Sequence, residues 1–99
     1  MQLKKTETCR GFELIKFTDI YNIPCSLQKS SFAAEDAVWF GVDEPDPQIL
    51  ASKVKEGLTG WVKYPIHEDV FINTRMHLTR EQVADLLPYL QRFVDTGGI

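Results

Sequence analysis

Basic charge is scarce in this chain. Eleven lysines and arginines stand against fourteen acidic residues, giving a net charge of -3 at pH 7. A protein that grips duplex DNA through its phosphates normally carries a basic surplus or a basic stripe. Here the only basic doublet is Lys4-Lys5, near the start of the chain. Duplex nucleic acid is therefore not the expected partner, although one small anion needs only one or two well-placed cations. Cysteine is equally scarce: Cys9 and Cys25 are too few for a disulfide framework and stand at no metal-ligand spacing. No run is long and apolar enough for a signal peptide or a membrane span. These shortages point to free thiols in a reducing cytoplasm, with no metal, no cofactor and no membrane partner.

What remains suits one domain. Ninety-nine residues are too few for two ordinary domains, and 43% hydrophobic and 11% aromatic residues can fill a single core. A chain this short buries only about 60–65% of its unfolded surface, so a partner subunit would help it, and a homo-oligomer is expected. The expected fold is α+β over residues 1–99, with residues 1–10 as a mobile lead-in. An antiparallel sheet of about four strands carries a C-terminal amphipathic helix packed on one face.

The hydrophobic pattern places the elements. Phe12–Phe17 has strand composition. Pro24, which lacks a donor, suits the start of a second strand in which Cys25 and Leu27 alternate with Ser26 and Gln28. Ala37–Val42 is apolar on both faces and reads as the centre of the sheet. Asp46 can cap a short helix over residues 47–56 with Pro47 at its first position, although the same stretch also reads as a loop. Leu58–Pro65 reads as a short extended piece with Trp61 packed inward. From Val70 to Leu78 alternation sets Val70, Ile72, Thr74, Met76 and Leu78 on one side and Phe71, Asn73, Arg75 and His77 on the other. Thr79-Arg80-Glu81-Gln82 is a capping box, Val83, Leu86, Leu87, Leu90, Phe93 and Val94 form an apolar stripe, and Gly97 stops the helix. Pro88 removes one backbone bond within it, so a bend near Ala84 is expected.

No complete catalytic motif appears, and the candidate constellations must be weighed against ordinary surface and core. Arg75 and His77 share the polar side of the last strand. With the hydroxyls of Ser30 and Ser31 behind them they would suit an anion, because a guanidinium grips phosphate or carboxylate in two places. A solvated sheet face, or an arginine paired with Glu35 or Glu68, accounts for the same residues. Trp39 and Trp61 could stack on the base of a small nucleotide, while core packing is the ordinary use of a tryptophan. A hydrolase or transferase would need Cys25 or Ser30 activated by His77. Cys25 falls on an apolar strand face, where cysteine behaves as a small hydrophobe, and no nucleophile-elbow sequence surrounds Ser30. The acidic group Asp43-Glu44-Asp46 lacks the glycine and terminal glutamate of a calcium loop and reads as a solvated turn.

Several blocks of the sequence bear a resemblance: Phe17–Ser31 as F-x-D-x-Y-x-x-x-C-S-L-Q-x-S-S, Val38–Val42, Arg75–Thr79, and the close from Leu86-Leu87-Pro88 to Gly97. Over most of residues 12–98 the chain resembles a group of small bacteriophage and prophage proteins with no assigned activity. The resemblance implies a phage setting in the bacterial cytoplasm and supplies no residue roles. Small acidic phage domains without catalytic motifs often act as counter-defence inhibitors, sequestering a small anionic or nucleotide signal or binding a host protein. The expected function is therefore non-enzymatic binding through Arg75, His77, Ser30, Ser31, Trp39 and Trp61. The alternatives are the small hydrolase or transferase above, and a phage assembly or replication accessory protein.

Overall fold

The computed structural model describes residues 2–99, and its backbone contacts separate them into two compact units. The first runs up to Asp43 and resumes with Arg75–Ile99, and the second is Glu44–Thr74. The first unit is α+β: a five-stranded antiparallel sheet followed by a long C-terminal helix. Its strands are β1 (Lys4–Glu7), β2 (Glu13–Thr18), β3 (Pro24–Lys29), β4 (Ala37–Val42) and β7 (Arg75–Thr79), in that spatial order. The second unit contains β5 (Gln48–Leu50), a single-turn helix α1 (Ala51–Val54) and β6 (Trp61–Lys63).

Turn chemistry joins the first strands. Asp19 accepts from the backbone N–H of Tyr21 at 2.8 Å and of Ile23 at 3.0 Å, and Asn22 takes the left-handed conformation at φ 62°. This Asx turn closes the β2–β3 hairpin. Residues 4–7 were expected to be mobile, yet they pair with β2. A tight turn explains the difference. Thr8 N–H donates to the Phe12 carbonyl at 2.8 Å, Gly11 N–H donates to the Thr8 carbonyl at 2.9 Å, and Gly11 adopts φ 84°. The strand it folds back is polar and fully exposed, so no apolar pattern announces it.

Register divides the sheet into two chemically distinct faces, because directly paired residues share a side. One face carries the row Ile15–Leu27–Phe40–Met76, flanked by Phe17–Cys25–Val42 and by Val38–Leu78. The rings of Phe17 and Phe40 meet edge to face with centroids 6.1 Å apart. The other face carries Ser26, Gln28, Trp39, Arg75 and His77. β4 is interior as expected, though β3 is the middle strand. Its side chains are mostly half-buried and only Ala37 is fully so.

The C-terminal helix α2 (Arg80–Thr96) forms as its sequence predicts. The Thr79 hydroxyl accepts from Gln82 N–H, and the Gln82 side chain accepts from Thr79 N–H at 2.9 Å. Gly97 ends the helix at φ 79°, and the helix continues unbroken across Pro88. Its apolar stripe, however, is not buried against the sheet. Exposure along it runs from 37% at Val83 to 78% at Val94. The first turns of the helix, through Arg80, Val83, Ala84 and Leu87, line a groove of about 570 Å³ opposite Leu27, Val38, Phe40 and Leu78, with Lys29 and Asp36 at its edge. An amphipathic stripe shows that a helix face seeks cover without specifying what covers it.

The second unit departs further from the pattern. The helix expected over residues 47–56 shrinks to Ala51–Val54, preceded by β5 paired with β6. Asp46 does not cap it: the Asp46 carboxylate accepts from the Gln48 side chain at 2.9 Å, and the helix has no side-chain cap. Trp61 is 64% exposed rather than packed inward. The strand expected from Val70 begins only at Arg75.

The capping box carries a stability expectation. Thr79→Ala removes the hydroxyl acceptor and should cost about 1 kcal/mol. In a domain of this size that lowers Tm by roughly 4–8 °C, read by circular dichroism.

Candidate functional site

The polar face of the sheet is assembled from short side chains that give way to long ones. On β4, Trp39 stands between Ala37 and Gly41, its neighbours on the same face. Gly41 lies directly between Ser26 on β3 and Arg75 on β7. Having no side chain, it leaves the path open across β4. Arg75 Nη1 uses that path, lying 2.9 Å from Gln28 Oε1 and 3.4 Å from Ser26 Oγ. Gly41 also adopts φ 146°, a conformation side-chain-bearing residues rarely take.

One row along, Gln28, Trp39 and His77 are directly paired. The imidazole of His77 stacks on the Trp39 indole with centroids 3.9 Å apart and planes within 8°. His77 Nε2 lies 2.8 Å from Ser30 Oγ, beyond the small side chain of Ala37. The Ser30 hydroxyl in turn accepts from Phe32 N–H at 3.0 Å, and the Phe32 ring meets His77 edge-on at 5.7 Å. Arg75 Cζ is 5.5 Å from the Trp39 ring centroid, within cation–π range. Trp39 therefore supports both the guanidinium and the imidazole.

The face is locally positive although the chain is acidic. Lys4, Lys16, Ser26, Gly41 and Arg75 form one continuous cross-strand row. Lys16 also pairs with Asp43. Partial burial works to raise the Asp43 carboxyl, but hydrogen bonds from Lys16 and Ser26 and the charges of Lys16 and Arg75 outweigh it. The net effect holds the carboxyl below its ordinary value. Two cations around one carboxylate leave one positive charge over. Ser26 and Ser30 are buried at 1% and 4% exposure, whereas His77 is open to solvent. The arrangement is a fixed donor set at the bottom of an accessible face.

Of the residues predicted for a site, Arg75, His77, Ser30 and Trp39 come together here. Ser31 is exposed and enters none of these contacts. Trp61 belongs to the second unit, on β6. Cys25 projects from the opposite face of the sheet to His77, so the thiol and imidazole cannot act as a pair. Ser26, Gln28, Gly41 and Lys16 were not anticipated. The alternation of β3 already set Ser26 and Gln28 on its polar side, but only the register shows that Arg75 meets them. Among the described residues no group of three metal-ligating side chains occurs, and no helix is long and apolar enough to cross a membrane. No protein-family model, curated protein or solved structure matches the chain.

The two thiols should differ sharply. Burial first, then the charges of Asp19 and Asp43, push the Cys25 thiol above its ordinary value, and its Sγ lies 3.3 Å from the Ile23 carbonyl. Cys9 is exposed. A thiol reagent at neutral pH should label Cys9 quickly and Cys25 only on unfolding, as mass spectrometry of the time course will show. Asp43 gives a pH expectation. Its folded value is depressed, so its stabilisation is complete above the unfolded value of about 3.9 and is lost as pH falls through the folded value. Tm should fall on acidification from about pH 5 to about pH 3, and Asp43→Asn should lessen that fall.

Proposed function

We propose that this chain is a non-enzymatic binding protein that holds a small anionic ligand, such as a nucleotide phosphate, on the Arg75–His77 face of its sheet. The observation that carries this reading is the seating of Arg75 and His77 on Trp39. The guanidinium and imidazole are held by stacking and by Ser26, Gln28 and Ser30 rather than left to fluctuate. Ordering such side chains beforehand removes much of the entropy that binding would otherwise cost. The row of Lys4, Lys16 and Arg75 adds attraction for a ligand with more than one negative charge. Trp39 serves as a platform for these two residues, so the reading relies on the anionic part of the ligand rather than on base stacking. The resemblance to phage-encoded proteins supplies a setting, in which sequestering a small signal molecule would blunt a host defence.

A second reading has one observation in its favour: the 2.8 Å contact between Ser30 Oγ and His77 Nε2 has the spacing of a nucleophile and its base. Ser30 is only 4% exposed, however, and its hydroxyl already accepts from Phe32 N–H. A substrate carbonyl would have little access to it. A structural hydrogen bond that orients His77 accounts for the same distance.

Calorimetry with inorganic phosphate and a panel of linear and cyclic nucleotides tests the proposal. Wild type should release heat with at least one of them, and Arg75→Ala should abolish it. Arg75→Lys keeps the charge but loses the planar fork, and should weaken binding about tenfold. Absence of heat across the panel would refute the anion site and favour a protein partner. Hydrolysis of a panel member that stops with Ser30→Ala would favour the enzyme.

A further inference from the structure

His67 and His77 are the chain's two histidines, and their hydrogen bonds place the ring proton on opposite nitrogens. A neutral imidazole carries one N–H and one bare nitrogen, and its neighbours decide which is which. His67 is the simple case. Its Nδ1 accepts from the backbone N–H of Asp69 at 3.1 Å. A nitrogen that accepts cannot also hold the proton, so neutral His67 is protonated at Nε2. At His77 the neighbour is a hydroxyl, which can give or take. Ser30 Oγ accepts from Phe32 N–H at 3.0 Å and lies 2.8 Å from His77 Nε2. No third group among the described residues hydrogen-bonds to it. If Nε2 carried the proton, both contacts would donate into Oγ, and the hydrogen of the hydroxyl would have no acceptor. Ser30 is 4% exposed, and an unmatched buried donor costs about 1–3 kcal/mol. If Ser30 donates to Nε2 instead, every group is satisfied and the ring proton must sit on Nδ1.

We infer that Ser30 is a positioning residue: it fixes neutral His77 as the Nδ1–H tautomer and so makes the imidazole a hydrogen-bond donor to the ligand. Nδ1 makes no hydrogen bond among the described residues, and His77 is exposed. The Trp39 indole stacked at 3.9 Å and the edge-on ring of Phe32 resist a flip that would exchange the two nitrogens. The neighbouring guanidinium is arranged in the same way. Arg75 commits Nη1 to Gln28 and Ser26, while Nε and Nη2 have no partner among the described residues.

The face therefore offers one permanent cation and one neutral donor, both resting on the same indole. That pair suits an oxyanion with at least two acceptor oxygens, as phosphates and carboxylates have. The ligand's share of this inference rests on the anion reading, whereas the tautomer stands without it. A serine nucleophile would need the same tautomer, but in such a pair a carboxylate holds the Nδ1–H. No carboxylate bonds to Nδ1 here, which leaves that hydrogen free for binding.

Long-range proton–nitrogen NMR of the full chain at about pH 8, above the ordinary imidazole range, tests the inference. One histidine should show the Nδ1–H pattern and the other the Nε2–H pattern, and His67→Gln assigns them. Ser30→Ala should move His77 towards Nε2–H, the form histidine prefers in water, and Ser30→Thr should restore Nδ1–H. A hydroxyl that served packing alone would leave the pattern unchanged in both variants. Inorganic phosphate should shift the Nδ1 resonance of His77 in the wild type, and Ser30→Ala should bind it about three- to tenfold more weakly. Wild-type His77 in the Nε2–H form would overturn the inference, and this spectrum decides the tautomer even if Ser30→Ala fails to fold. Phosphate binding that leaves Nδ1 unmoved would overturn the donor role. Phosphate that does not bind at all would count against the anion reading and the donor role together, while the tautomer would still be decided by the spectrum.

Discussion

The polar face depends on one constraint: β3, β4 and β7 must pair in a single register. Side chains alternate with a period of two, so a slip of one residue would send Arg75 and His77 to the apolar side and Leu78 and Met76 to the polar side. Register also brings Gly41 level with both Ser26 and Arg75, and Ala37 level with Ser30, one row along from His77. The long side chains of β7 can therefore cross β4 to reach β3. A larger residue at either small position would block a crossing without changing a single strand boundary.

The same register gathers the apolar residues opposite, and there the unit is incomplete. Cys25 and Ala37 are its only fully buried apolar residues among those described, and both are small. Burying apolar surface contributes about 25 cal/mol per Å², so half-covered phenylalanines and leucines return only part of what they offer. Backbone ladders and turn hydrogen bonds shape this unit more than a filled interior does. The second unit buries even less of what it carries: a two-stranded sheet with Ala51 as its one buried residue, and with Trp61, Tyr64 and Phe71 all exposed.

Much of the first unit was legible because its signals are local. The box at Thr79 and Gln82, the stop at Gly97, the proline opening β3 and the alternation of β3 and β7 each lie within a few residues of chain. The shared face of Arg75 and His77 followed from a period of two. Contacts across strands were not legible, since nothing in a single strand states which neighbour it will meet. The pairing of Gln28 with Trp39 and of Gly41 with Arg75 arises from β3 and β7 flanking β4, and β7 is more than thirty residues further along the chain. β1 escaped notice because an exposed edge strand needs no apolar pattern. α2 lies against the apolar face through its first turns as expected, but its amphipathicity does not state how much of the stripe is covered, and nothing in the sequence around Trp61 names a partner for it.

The junction at Thr79 has a mechanical meaning. That residue is the last of β7 and also the cap of α2, so strand and helix meet with no loop between them. A hinge needs residues whose dihedrals can change freely, and here the ladder to Ala37 and the hydrogen bonds of the box hold both sides of the joint. Strand and helix form one bent rod, with His77 two residues from the elbow. Tilting the helix arm must twist the strand arm, and so alter the angle at which the imidazole rests on Trp39. Whatever leans on the outer end of α2 therefore has a stiff lever on the opposite face of the sheet.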